Sequence, residues 1–333
     1  MTLTRVRTPY GPETTAAEVL GGIDLTGRQA IVTGAYTGIG RETARALAAA
    51  GATVTLAGRD IAAGLAVAEA LRSETAGLDL EVAALDLADR RSIARFVDRW
   101  DRPLDMLVNN AGIMATPFAR TAEGWELQLA TNHLGPFALT TGLHGALAAA
   151  GDARVVMVSS AKHRHGELDF DDVNFQHRPY DPWLAFSQSK TANVLFAVEA
   201  AGRWQRDGIA VNALHPGPVR TAIRRHVAGK VGLPASFEPT SASIQWKSVA
   251  QGAATSVLLA GSPLVHGVTG RYFEDANEAE LAGPGGRQGV ARHAVDPVSA
   301  ARLWQISVEL LTGRYRPASA SGTVSTGPAA LAG

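Results

Sequence analysis

From Arg28 onward, short runs of aliphatic and β-branched residues alternate with longer Ala-rich stretches. Gln29–Thr33 (QAIVT), Thr53–Ala57 (TVTLA), Glu81–Leu85, Met106–Asn109 (MLVN), Arg154–Ser159 (RVVMVS), Ala210–Leu214 and Gly270–Phe273 read as seven strands. Helices are predicted over Gly38–Ala50, Ile61–Ser73, Ser92–Arg99, Glu123–Ala149, Trp183–Arg206, Val249–Ala260 and Val298–Leu311. Apolar runs this short suit strands buried on both faces, and the helices between them make repeated βαβ units. The pattern predicts one doubly wound (Rossmann-type) α/β domain, a seven-stranded parallel sheet with helices on both sides.

Two segments break the alternation. Pro218–Trp246 is polar, basic and interrupted by Gly and Pro, as a small lid would be. Residues 314–333, rich in Ser, Ala, Gly and Thr, read as a disordered tail. The expected organisation is an N-terminal extension over 1–24, the domain over 25–313 with its lid at about 218–246, and the tail. No internal repeat is visible.

Composition narrows the function classes. The chain has 333 residues, 31 Lys and Arg against 31 Asp and Glu, and no cysteine. Zero formal charge argues against a non-specific grip on nucleic acid or an anionic membrane surface. Thiolate chemistry, disulfides and Cys-held zinc are excluded, and no metal site is expected. The N-terminus lacks the apolar stretch of a signal peptide, and no run of about 18 apolar residues occurs. A soluble, cytoplasmic protein acting on a small molecule is the expectation.

The first strand runs directly into Thr33-Gly34-Ala35-Tyr36-Thr37-Gly38-Ile39-Gly40, which opens a helix. Glycines there let the backbone approach a pyrophosphate, and the helix N-terminus offers unpaired N–H groups to it. The spacing is G-x-x-x-G-x-G, not the more familiar G-x-G-x-x-G. The second strand ends in Ala57-Gly58-Arg59-Asp60. An acidic side chain at this point holds a ribose 2′-hydroxyl, whereas arginine accommodates a 2′-phosphate. Arg59, first after the glycine, favours NADP over NAD. Asp60 is the competing residue, unless both merely cap the next helix.

These residues, with Asn109-Asn110-Ala111-Gly112, Thr131-Asn132-His133-Leu134-Gly135, Val158-Ser159-Ser160 and His215-Pro216-Gly217-Pro218-Val219-Arg220-Thr221, resemble the short-chain dehydrogenase/reductase family, in order, from about Leu25 to Leu311. Tyr180-Asp181-Pro182-Trp183 and the run Ser189-Lys190-Thr191-Ala192-Asn193-Val194-Leu195-Phe196 look most like its retinol-dehydrogenase and WW-domain-oxidoreductase branch. The resemblance implies that Thr37, Gly38, Ile39 and Gly40 bind the cofactor together with Gly34, and that Asp86 lies near the adenine. It places Asn110, Ala111 and Gly112 beside the adenine ribose, and Pro216, Gly217, Val219 and Thr221 on the nicotinamide side. It also implies a homodimer or homotetramer paired through the helices at Glu123–Ala149 and Trp183–Arg206.

The family's chemistry uses Asn, Ser, Tyr and Lys, the last two written Y-x-x-x-K. Four residues apart on a helix they share a face, and the ammonium lowers the phenol's pKa for proton exchange during hydride transfer. Asn132, Ser160 and Lys190 match, with Asn132 expected to hold a proton-relay water, Ser160 the substrate oxygen and Lys190 the nicotinamide ribose. The tyrosine position holds Phe186, which has no hydroxyl. Three readings stay open: an NADP-dependent oxidoreductase with another proton route, an NADP-binding protein without redox turnover, and an active reductase silenced by a Tyr→Phe substitution.

Other residues are candidates to replace the phenol. Tyr180 is expected at the pocket mouth, and His163 and His165 in an exposed loop. His133 and His215 are expected to orient backbone, and Ser187 and Ser189, pointing away from the Lys190 face, to serve helix packing and backbone contact. Trp183, Leu184 and Phe186, with Leu233, Phe237 and Trp246 from the lid, suggest a small to medium apolar substrate. Arg220, Arg224, Arg225 and Lys230 offer charge to an acidic group or form solvated surface.

Overall fold

The computed structural model describes residues 5–223, 245–283 and 288–315. The strands are β1 (Gln29–Thr33), β2 (Thr53–Gly58), β3 (Leu80–Ala84), β4 (Met106–Asn109), β5 (Ala153–Val158), β6 (Ile209–His215), β7 (Tyr272–Glu274) and β8 (Asn277–Glu278). They form one sheet in the order β3-β2-β1-β4-β5-β6-β7-β8. The seven expected strands are present and parallel. An eighth was not anticipated: the two-residue β8 pairs antiparallel with β7, too short to leave a periodic signal. Its hairpin places Asp275 and Ala276 at positive φ.

The helices are α1 (Ala16–Leu20), α2 (Gly38–Ala49), α3 (Ile61–Glu74), α4 (Arg90–Asp98), α5 (Leu127–Leu129), α6 (Gly135–Gly142), α7 (His144–Ala150), α8 (Pro182–Trp204), α9 (Val249–Gly261) and α10 (Pro297–Thr312). Alternation along a strand divides the core between the two faces of the sheet. Ala30 and Val32 join one apolar cluster with α1, α2 and α9, while Ile31 joins the other with α6 and α8.

The helix expected over Glu123–Ala149 is broken. It begins only at Leu127 and passes through a π turn at Ala130–Leu134 before α6 and α7. Pro136 has no N–H, so the α-type bond to the Asn132 carbonyl four residues back cannot form. The predicted catalytic asparagine therefore sits in the wide turn.

The N-terminal extension is folded onto the domain. Val6 donates its N–H to Glu278 at 2.9 Å, Thr8 to Asn277 at 2.8 Å, and Ala16, Val19 and Leu20 are buried. α10 packs along α8, burying Leu303, Ile306 and Leu310 in a cluster with Ala192 and Leu195. Among the described residues no helix is long and apolar enough to cross a membrane, and no group of side chains could hold a metal. Most of the expected lid, residues 224–244, and the tail from 316 lie outside the described residues.

Candidate active site

The order in which strands are added reverses between β1 and β4, which is where a doubly wound sheet leaves a crevice at its C-terminal edge. A cleft of about 1520 Å³ opens there, bordered at one end by the turn after β1 and at the other by Ser160, Phe186 and Lys190.

At the β1 end the geometry is set by backbone. Thr33 Oγ1 accepts the N–H of Asn110 at 3.1 Å and of Ala111 at 3.0 Å, and the Asn110 amide donates to the Thr33 carbonyl at 2.9 Å. Asn110, expected at the ribose, thus spends its amide tying β4 to β1 while it also borders the cleft. Gly34 (φ 65°) passes so near Ala111 that a Cβ would lie 2.9 Å from its Cα. A Cβ on Gly40 would come within 2.5 Å of the Gly34 carbonyl oxygen, and one on Gly38 within 3.0 Å of Thr221. Thr37 precedes α2 but makes no side-chain cap. The first N–H groups of that helix face an open cradle suited to a pyrophosphate.

Arg59 and Asp60 part company at the end of β2. Asp60 caps α3, accepting the Ala63 N–H at 3.0 Å. Arg59 lies exposed on the cleft rim with no hydrogen bond or ion pair among the described residues. Asp86 also borders the cleft, its carboxylate closing a turn with the Ala88 N–H at 2.9 Å. Tyr36, not singled out in the sequence, packs against Gly58 and Gly64, where a Cβ would meet its ring at 2.6 and 2.7 Å.

Across the cleft, Pro216, Gly217, Val219 and Thr221 all contribute to the wall, with Ile39, Ala111 and Gly112. Gly217 (φ 87°) leaves space for Lys247, which pairs with Asp275 at 2.5 Å. A bridge between Val219 and Lys247 joins the two ends of the lid segment. Arg220 stacks on Trp246, 4.8 Å from its ring centre. Trp183 and Trp246 border the cleft as expected but Leu184 does not. Leu233, Phe237, Arg224, Arg225 and Lys230 lie outside the described residues.

At the β5 end, Asp181 caps α8 through the Trp183 and Leu184 N–H groups, and Pro182 follows it at the first helical position. Lys190 is buried and donates to the Val158 carbonyl at 2.9 Å. Burial pulls its pKa down to about 8. The Phe186 ring lies 5.8 Å from the Lys190 ammonium and is only 2% exposed. Ser160 Oγ accepts the Lys162 N–H at 3.2 Å. A Cβ on Gly112 would lie 3.2 Å from Asn132 Oδ1 and 3.3 Å from Lys190 Nζ, so glycine is what lets these groups approach.

The Asn132 side chain stands behind the cleft wall. It accepts the Ile113 N–H at 2.8 Å and donates to the Ile113 carbonyl and to Ser189 Oγ, both at 2.9 Å. Ser189 in turn donates to the Phe186 carbonyl at 2.7 Å. Ser189 makes the expected backbone contact and also couples the asparagine to α8, a link that no sequence signal marks.

Of the proposed substitutes for the phenol, Tyr180 is tied up elsewhere. Its hydroxyl sits 2.8 Å from the Gln128 amide, 3.1 Å from Glu126 and 3.2 Å from the Thr116 carbonyl. Burial, reinforced by Glu126, pushes its pKa well up, and it does not border the cleft. The exposed loop expected for the histidines is wrong for His163, which is fully buried, while His165 is exposed on the cleft wall. His133 bonds Ser307 Oγ at 2.9 Å rather than backbone. His215 borders the cleft, and burial holds it neutral with a pKa of about 3.

Comparison with known proteins agrees with this geometry. The short chain dehydrogenase profile matches residues 28–231. The chain is 50% identical over 299 residues to a protein of Streptomyces antibioticus named as a probable oxidoreductase, covering 87% of this chain and 99% of that one. It is 39% identical over 308 residues to human retinol dehydrogenase 14, covering 87% of each. A solved structure from Mycobacterium paratuberculosis superposes with a TM-score of 0.69 at 35% identity, covering 90% of this chain and 98% of that one. Another, from Beutenbergia cavernae and provisionally assigned as an NAD(P)-dependent gluconate 5-dehydrogenase, holds NADP and superposes at 0.61 with 29% identity over 76% and 96% of the chains. With the glycine cradle, the ordered motifs and the Ser160–Lys190 site in place, the chain belongs to the short-chain dehydrogenase/reductase family of oxidoreductases, in its retinol-dehydrogenase-like branch.

Proposed function

We propose that the protein is an NADP-dependent reductase of a carbonyl, or in reverse a dehydrogenase of the alcohol, that works without a tyrosine proton donor. The observation that carries this reading is one continuous cleft: Arg59 and the glycine cradle border one end, Ser160 and Lys190 the other. Arg59 faces the rim with no competing partner among the described residues while Asp60 is engaged at α3, which favours NADP over NAD. NADPH, when bound, supplies the hydride that reduces the carbonyl carbon.

The chain's own residues handle the oxygen. Ser160 holds the carbonyl oxygen by a hydrogen bond. The proton that completes the alcohol comes from the Lys190 ammonium through a water held at the main-chain carbonyl of Asn132, since Pro136 removes that carbonyl's α-helical donor. A positioned acid contributes typically about 10²–10⁴ in rate, so this route is slow and suits an already electrophilic carbonyl best.

A second reading, NADP binding without turnover, draws on the buried Phe186 ring beside Lys190, which fills the proton donor's place with hydrocarbon. NADPH oxidation over a panel of ketones, aldehydes and quinones, beside Phe186→Tyr, separates the two. Consumption by both proteins supports the reductase. Consumption by the Tyr variant alone supports the binder, or an active reductase silenced at this position.

Association of copies is part of this reading. Because α10 already covers α8 within the chain, we propose that pairing uses surfaces other than α8. Sedimentation of a variant with a charge placed on the exposed part of α8, at Gly202, tests that assignment, since dissociation of the assembly would overturn it.

A further inference from the structure

The turn after Ser160 sorts its side chains by direction. His163 points into the protein, while Lys162, Arg164 and His165 border the cleft. His163 Nε2 accepts the Ala291 N–H at 3.1 Å, which leaves the ring proton on Nδ1 for the Ser160 carbonyl at 2.6 Å. Its own carbonyl lies 2.9 Å from Thr191 Oγ1 and 3.0 Å from His293 Nε2. Burial holds this ring neutral, with a pKa of about 4. The turn is therefore pinned from the inside, and its cationic residues are held toward the cleft.

Arg164 is poorly satisfied there. It is half-buried, and its hydrogen bonding among the described residues is one 3.4 Å contact with the Gly289 carbonyl. A guanidinium has five N–H donors to place. It forms no ion pair among the described residues, and the nearby carboxylate of Glu274 takes the Gly289 N–H at 2.7 Å instead. Burial and then Arg164 lower the Lys162 pKa to about 8, and burial, Lys162 and Arg164 lower that of His165. Like charges are thus held together beside the reacting oxygen's site. Met114, Phe118, Trp183 and Phe186 add apolar surface to the cleft wall. Arg164 follows β5, three strands from β2 and Arg59. At about 4.8 Å per strand that is roughly 14 Å, too far to serve the same 2′-phosphate.

We propose that the substrate is an oxo acid, an apolar carbonyl compound whose carboxylate docks on Arg164 beside Lys162 while its carbonyl meets Ser160. This rests on reading the site as a carbonyl pocket. A carboxylate would give the guanidinium the bidentate partner that the described residues do not supply.

The test is calorimetric binding of 4-oxo-, 6-oxo- and 8-oxodecanoate and their methyl esters, with and without NADP. At one spacing the acid should bind about tenfold tighter than its ester, the factor expected of a charge-assisted hydrogen bond. Arg164→Gln should abolish that difference, and Arg164→Lys should restore part of it. Equal binding of acid and ester at every spacing overturns the proposal, as does an acid preference that survives in Arg164→Gln, or no binding at all. Should the variant not fold, the native protein still decides, because added salt must weaken the acid and spare the ester. NADPH oxidation is read separately with the same compounds. Acid-selective binding without turnover, in the native protein and in Phe186→Tyr, ends the reductase reading alone, whereas equal turnover of acids and esters ends the oxo-acid proposal alone.

Discussion

The two ends of the cleft are built by different physics. At the β1 end the shape is a matter of backbone: Gly34, Gly38 and Gly40 leave no space for a Cβ, and Thr33 with Asn110 locks two strand ends together. At the β5 end the shape is a matter of side chains, with Lys190, Phe186, Ser189 and Asn132 held by one another. Losing one phenol hydroxyl disturbs none of the backbone contacts at the other end. Cofactor binding and turnover can therefore be changed separately: the glycine cradle stands at the first end, and position 186 carries no hydroxyl at the second.

Variants can press on that separation. The largest effect is expected from Phe186→Tyr, which should raise turnover by about 10²–10⁴ while changing the NADPH dissociation constant by less than about twofold. An accompanying large change in affinity would show that the two ends are coupled. Gly40→Ala is the converse: its Cβ collides with the Gly34 carbonyl and the Asn110 amide, so NADPH titration should show affinity reduced by roughly a hundredfold or more, or lost. Arg59→Gln is milder, with NADPH binding about tenfold weaker and NADH binding unaltered. Equal weakening of both cofactors would remove the assignment of Arg59 to the 2′-phosphate.

Two pH effects follow. If Lys190 feeds the proton, reduction needs its charged form, and the rate should decline as pH rises through about 8. A rate flat from pH 7 to 9 removes Lys190 from the proton route. The smallest effect is on stability. His133 and His215 are held near 3 and His163 near 4, all chiefly by burial. Their unfolded value is about 6.5, so the unfolded chain binds more protons below that pH. The stability they contribute is present above about 6.5 and is lost as pH falls toward 4. Thermal unfolding midpoints measured from pH 7 to 5 should therefore decline, most steeply below 6.5, and less so in a variant with His133 replaced by an apolar residue.

The strands and the glycine turn were legible because their signals are local. An apolar run of a few residues bounded by turns needs no distant partner to be read as a buried strand, and a glycine at positive φ follows from the turn it makes. The break at Ala130–Leu134 was also written locally, in Pro136, but the apolar richness around it reads as unbroken helix. The strand β8 was not legible, since two residues carry no period.

Side-chain direction is another matter. Whether Arg59 or Asp60 faces the cleft depended on which of them capped α3, and the neighbouring pair alone allowed either. His163 reads as a loop residue in Lys162-His163-Arg164-His165. What turns it inward is Ala291, 128 positions away, together with Tyr272 against its ring. The residue types and their order establish the doubly wound fold, the glycine turn after β1 and the absence of a phenol at position 186, since these depend on backbone period, on glycine and on a missing atom. Which way each polar side chain turned was resolved by packing between segments far apart in the chain, because a buried donor or acceptor faces whichever partner the fold brings within reach.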